Sequence, residues 1–170
     1  MQLSSAVYPC SAVEVHFDKE AEMIDLTHIH PMVVHFPIAL LILGFLSEVV
    51  GLISKKEFFD DAAFLLLITG ALGAVAAVLS GSYAAGGLEE AGTLKQAVEI
   101  HQGAAELAMW LALVAAAFRI VLAFTKKYTG FLRYVAVFLF LITVLAVARA
   151  GYYGGELVFK HAAGVTFQLG

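Results

Sequence analysis

The sequence has few charged residues and a single cysteine. Charged side chains make up 14% of its 170 residues, against about 25% in a typical soluble domain, so the chain cannot cover its surface with ionised groups. Cys10 is the only cysteine, which excludes an internal disulfide framework and the Cys-x-x-Cys-His motif that attaches a c-type haem. A b-type haem, which is held without covalent bonds, is not excluded.

Basic residues are also scarce. Ten Lys and Arg residues stand against fourteen Asp and Glu residues, and no basic patch with interleaved aromatics occurs, so we expect no nucleic-acid partner. Residues 1–27 lack the basic start and apolar centre of a signal peptide. We therefore expect a polar N-terminal extension over residues 1–27 and, at this chain length, one domain over residues 28–170.

Long apolar segments dominate the rest of the chain. Hydrophobic residues make up 61% of it, and a helix of about 20 residues crosses a hydrocarbon core of about 30 Å. The sequence predicts an all-α, four-helix transmembrane bundle with a short C-terminal tail. The predicted helices cover about residues 31–53, 62–80, 101–124 and 131–150.

Three local features refine this prediction. Pro31 suits a first helical turn, and Pro37 predicts that the first helix either begins late or bends. Gly154-Gly155 predicts a turn in the tail. Glu48 and Arg119 lie toward the same end of the bundle, and we expect them either to pair or to extend separately to the membrane surface.

The distribution of Lys and Arg predicts the orientation. Five basic residues lie on the side that the chain reaches after the first and third helices, and three lie on the opposite side. Because positively charged loops stay in the cytoplasm, we expect both termini on the outer side of the membrane. In a bacterial inner membrane this side is the periplasm.

Histidines recur at the borders of the apolar segments. Three precede or open the first helix, one opens the third helix, and one follows the fourth: His28, His30, His35, His101 and His161. The predicted topology brings all five to the outer membrane face. Neutral imidazole binds metal ions readily and is also an axial ligand of haem iron, so this clustering predicts a haem or metal site.

The helix geometry suggests how these histidines pair. On a regular helix His30 and His35 point about 140° apart, at roughly 100° per residue, so we expect them to have different partners. Our first expected pair is His35 with His101, and the second is His30 with His161. We assign no ligand role to His28. We expect Arg149 to neutralise a haem propionate.

Three segments resemble a bacterial four-helix membrane family, domain of unknown function 2231. The residues from His30 to Leu41, HPMVVHFPIALL, resemble its opening signature, those from Thr69 to Ala77 resemble its second helix, and those from Gly154 to His161 resemble its closing signature. Ala162 stands where the family pattern usually has glycine. The resemblance covers about residues 28–170 and implies an integral membrane domain with histidines at positions 30, 35, 101 and 161.

These observations lead to a preferred function and two alternatives. The preferred hypothesis is a membrane electron-transfer protein with one or two b-type haems, which carries electrons between a quinone and a periplasmic cytochrome or other redox subunit. It would act at most as the redox subunit of a larger oxidoreductase, within a homo- or hetero-oligomer. The alternatives are a single copper, iron or zinc ion on the same histidines, and a structural or assembly subunit without a cofactor.

Overall fold

The computed structural model describes the backbone of residues 26–85 and 92–161, and the side chains of residues 30–85 and 92–160. Within these ranges the chain forms four helices and confirms the all-α bundle. They are α1 (Leu26–Ser54), α2 (Glu57–Ala85), α3 (Thr93–Phe124) and α4 (Gly130–His161). Each contains a segment long and apolar enough to cross a membrane. The expected N-terminal extension lies almost wholly outside the described residues.

The helices are longer than the sequence predicted, most of all α2 and α4. The expected turn at Gly154-Gly155 is wrong, because α4 continues through both glycines to His161. A glycine inside a helix costs about 1 kcal/mol relative to alanine, so packing must favour the continued helix. Pro31 and Pro37 likewise both lie inside α1, which begins before either of them.

The four helices form a bundle in which each helix packs against the next, and α4 also packs against α1. Consequently α1 lies diagonally opposite α3, and α2 lies diagonally opposite α4. The core is built largely from small side chains, so the helices approach closely. A Cβ on Gly70 would lie 2.7 Å from Leu41 Cγ, and one on Gly44 would lie 3.0 Å from Leu66 Cβ.

At the end of the bundle where α1 and α3 terminate, five side chains form a charged network that reaches every helix. The predicted pairing of Glu48 with Arg119 is confirmed: the two are 2% and 5% exposed, and their charged atoms are 3.8 Å apart. Arg119 also donates to the Asp60 carbonyl oxygen at 3.3 Å, and Arg133 pairs with the Asp60 carboxylate at 2.7 Å. Tyr128, between α3 and α4, donates its hydroxyl to Glu48.

The charged network is electrically balanced, with two carboxylates and two guanidinium groups. The ring of Tyr128 lies beneath the guanidinium of Arg119. Gly51 on α1 makes room for the Asp60 carboxylate, because a Cβ at this position would collide with Asp60 Oδ1. The network therefore holds all four helices together at this end, where buried charges without partners would be very costly.

We predict that Arg119→Met lowers the free energy of unfolding by about 3–5 kcal/mol, because it leaves the buried Glu48 carboxylate without its cation. Denaturation in detergent micelles, followed by circular dichroism, measures this loss. Lys127→Met, at an exposed lysine near the same helix end, is the matched control. The double substitution Glu48→Leu, Arg119→Met should lose less than Arg119→Met alone; equal losses would refute the coupling.

Tyr128 gives a second prediction, for alkaline pH. Burial and the hydrogen bond to Glu48 raise the pKa of the Tyr128 hydroxyl above its ordinary value of about 10. Because the folded pKa exceeds the unfolded one, the associated stability is complete below about pH 10 and is lost as pH rises toward the folded pKa. We expect Tyr128→Phe to reduce the loss of stability at alkaline pH and to remove the phase of tyrosinate absorbance that appears at the highest pH.

The control for this titration is Tyr134→Phe, because the Tyr134 side chain is exposed on α4. It should leave both the absorbance phase assigned to Tyr128 and the alkaline loss of stability intact. If Tyr128→Phe and Tyr134→Phe change the titration in the same way, the Tyr128 hydroxyl is not protected by the charged network.

Candidate functional site

The opposite end of the bundle carries the histidines, and helix length gives their depth. A helix of 20 residues covers a hydrocarbon core of about 30 Å. Counted back from Ser54 and from Phe124, where α1 and α3 end, this core closes near His35 and Ala105. His30 and His101 lie about one helical turn beyond this length of helix.

His30 on α1 and His101 on α3 face each other across the diagonal of the bundle. Their ring centres are 6.5 Å apart and their planes are inclined by 69°. We expected His35 to be the partner of His101, but the structure brings His30 to this position. His35 points elsewhere because of the rotation along α1: it is exposed, and its Nδ1 donates to the Pro31 carbonyl oxygen at 2.6 Å.

The imidazole of His30 rests on α2. Its Nδ1 lies 3.0 Å from the hydroxyl oxygen of Ser80, and that hydroxyl in turn donates to the Ala77 carbonyl oxygen at 3.0 Å. Gly81 provides the space for the ring, since a Cβ there would lie 2.8 Å from His30 Cε1. Ser80 and Gly81 together therefore hold the His30 ring in place.

The imidazole of His101 rests on α4 in a similar way. Its Nδ1 donates to the Ala150 carbonyl oxygen at 3.1 Å, and since a carbonyl can only accept, the ring proton lies on Nδ1. A Cβ on Gly154 would lie 3.1 Å from His101 Cε1. Gly154, which the sequence led us to place in a turn, is thus a helical residue that makes room for an imidazole.

The site consists of two half-sites of the same design. Helices α1 and α2 form one, and α3 and α4 form the other; in each, a histidine on the first helix meets a glycine and a hydrogen-bond acceptor on the second. Both Nδ1 atoms are engaged, and within the described residues no hydrogen bond is formed by either Nε2. The arrangement can therefore offer two neutral imidazole nitrogens, one from each half-site.

The remaining predicted site residues are placed only in part. Arg149 is exposed, stands one residue before the carbonyl that holds His101, and has its guanidinium 5.5 Å from the ring centre of Tyr153. The side chains of His161 and His28 lie outside the described residues. Nearby on α3, the partly buried Glu106 accepts a hydrogen bond from Gln102 at 3.1 Å.

The pair supplies few ligands for a bare metal ion. Among residues 30–85 and 92–160, no three His, Cys, Asp or Glu side chains form a group that could hold a metal ion. Structural zinc usually takes four protein ligands and catalytic zinc three, whereas haem iron requires at most two axial ligands from the protein. The described residues thus bring two imidazoles together at this end of the bundle.

Sequence reasoning missed the residues that support the histidines. Ser80, Gly81, Ala150 and Gly154 carry no signal for a cofactor by themselves. We expected the second helix to end at about residue 80, whereas α2 continues to Ala85 and includes Gly81. The available signal was the position of Ser80-Gly81 at the same membrane depth as His30.

Fold and site together define a class: a four-helix, multi-pass membrane protein with a diagonal histidine pair at one end of the bundle. The chain belongs to the family described as "Predicted membrane protein (DUF2231)", whose model matches residues 27–167. This match confirms the resemblance noted in the sequence. No curated protein and no solved structure matches the chain.

Proposed function

We propose that this protein is a membrane electron-transfer protein that binds one b-type haem between His30 and His101. The observation that carries the proposal is the opposed pair of imidazoles, each with its Nδ1 hydrogen-bonded and its Nε2 available. Such outer hydrogen bonds fix the orientation of a ligating histidine and raise its basicity. The pairing replaces our first expectation, in which His35 and His101 formed the pair.

The spacing of the two rings fits this cofactor. With a metal–nitrogen bond of about 2 Å on each side, two imidazoles that ligate one ion from opposite directions have ring centres about 6 Å apart. The rings of His30 and His101 have centres 6.5 Å apart. They also come from diagonal helices, and facing helices are the usual source of cofactor ligands in four-helix bundles.

The surroundings of the pair support the same cofactor. Gly81 and Gly154 leave the rings uncrowded on the sides that face α2 and α4. Arg149 lies at the same depth as His101 and is exposed, so its guanidinium can neutralise a propionate at the membrane surface. His30 and His101 would hold the haem, which would supply one-electron redox chemistry when bound.

The depth of the pair suggests the redox partners. At the interface, a cofactor is accessible both to a quinone headgroup from the bilayer and to a cytochrome or other redox subunit in the aqueous phase. We therefore propose a redox subunit of a larger, quinone-linked oxidoreductase.

Absorption spectroscopy tests the haem. We predict that protein purified after expression with added haem precursor shows a Soret band and about one haem per chain. His30→Ala and His101→Ala should each abolish the band or convert it to that of a five-coordinate haem, because each removes one axial ligand. His35→Ala, at the exposed histidine of the same helix, should leave the spectrum unchanged and is the matched control.

Three outcomes would contradict the proposal. A stoichiometric copper, iron or zinc ion without porphyrin would establish the non-haem alternative. Loss of the Soret band in His35→Ala, with retention in His30→Ala, would restore the pairing that we first expected from the sequence. A colourless, metal-free protein that still assembles with partner subunits would establish the structural alternative.

We also propose that the histidine pair lies on the periplasmic side of a bacterial inner membrane, from the charge bias of the helix ends. In a Cys10→Ser background, Ser82→Cys should react with an impermeant maleimide added to intact cells, because the Ser82 side chain is exposed near the histidine end. Ser54→Cys, exposed at the other end, should react only after the cells are opened. The reverse pattern would invert the orientation.

A further inference from the structure

The two half-sites differ in one respect, which is the nature of the hydrogen-bond acceptor. His101 donates to a backbone carbonyl, that of Ala150. His30 instead meets a side-chain hydroxyl, that of Ser80. A carbonyl dictates the position of the proton on its histidine, whereas a hydroxyl can accept or donate. The tautomer of His30 therefore depends on what Ser80 does with its own proton.

The hydrogen bonds around Ser80 determine that choice. The Ser80 hydroxyl has one proton, and it lies 3.0 Å from the Ala77 carbonyl oxygen, which can only accept. With that proton donated to Ala77, the Ser80 oxygen is left to accept from His30 Nδ1. Both hydrogen bonds form only when His30 carries its proton on Nδ1; the other tautomer sacrifices one of them.

This choice matters because only an unprotonated nitrogen can ligate iron. In the Nδ1–H tautomer the Nε2 lone pair of His30 is free. In the Nε2–H tautomer it is not, and the ring would have to lose a proton or turn around before it could bind. Within the described residues, the Ser80 hydroxyl is the side chain that hydrogen-bonds the His30 ring, and the Ala77 carbonyl oxygen also lies close enough to the ring to accept a hydrogen bond from it.

We propose that Ser80 is a positioning residue, which holds His30 in the Nδ1–H tautomer so that Nε2 is presented to the cofactor. The effects on haem rest on the proposed function, while the effect on the tautomer does not. Ser80 acts through His30 and does not itself touch the cofactor. The half-site on α1 and α2 can thus be altered by one side chain, whereas its counterpart depends on a backbone carbonyl.

The first experiment uses haem-free protein in detergent micelles or nanodiscs, with ¹⁵N-labelled histidine. In the unaltered chain we expect the ¹⁵N shifts of His30 to show a proton on Nδ1. Ser80→Ala should increase the population of the Nε2–H tautomer several-fold. Ser80→Thr, which keeps the hydroxyl, should return His30 to the Nδ1–H tautomer. A His30 ring that carries its proton on Nε2 in the unaltered chain would overturn the proposal without any variant.

The second experiment uses the haem-loaded protein. Loss of an outer hydrogen bond typically weakens metal binding about 10–100-fold, so Ser80→Ala should raise the haem dissociation constant by this factor. The iron should also become easier to reduce, because a less basic imidazole stabilises the ferric state less; potentiometry should show a higher reduction potential. Ser80→Thr should return both quantities toward their original values.

Ser82→Ala is the matched control, since its hydroxyl lies on the same helix but accepts from Gln102 at 3.5 Å and does not contact His30. It should leave the tautomer, the dissociation constant and the potential unchanged. Equal effects of Ser80→Ala and Ser82→Ala, or no effect of Ser80→Ala on the tautomer, would overturn the proposal. Absence of haem from the unaltered protein would refute the proposed function alone, because the tautomer measurement would still decide the role of Ser80.

Discussion

The burial of Arg119, at the end of the bundle where α1 and α3 terminate, is the constraint on which the helix arrangement depends. A guanidinium that is 5% exposed is strongly destabilising unless charges and hydrogen-bond acceptors surround it. Here the partners come from different elements: Glu48 from α1, Asp60 from α2 and the ring of Tyr128 from the connection to α4. Because these groups must converge, the rotation of each helix about its axis is restricted at this end.

A rotation that is restricted at one end also decides which faces meet at the other. Helix α1 turns His30 inward and leaves His35 exposed, and α3 turns His101 toward the same axis. Close helix packing completes the site, since Gly81 and Gly154 admit the two imidazole rings where any larger residue would displace them. The charged network and the histidine pair therefore lie at opposite ends of the bundle, and both depend on the same packing of the four helices.

The two ends differ in what their chemistry can support. The charged network is electrically balanced, and Glu48 and Arg119 are buried within it, which suits a structural role. The histidine pair has both Nδ1 atoms engaged in hydrogen bonds and is flanked by glycines and an exposed arginine. Our proposal of a bound cofactor and a redox role at the histidine end rests on those properties.

The sequence by itself determined the class of fold, the four apolar segments, the family and the position of His30 and His101 at the same end of the bundle, because each follows from composition and from the parity of membrane crossings. It also predicted that Glu48 and Arg119 could pair. Only the tertiary structure decided which histidines meet and what supports them, and it extended α4 through Gly154-Gly155. Spacing along a chain defines depth and direction on one helix, whereas a contact between helices depends on their mutual rotation and packing, to which residues far apart in sequence contribute together.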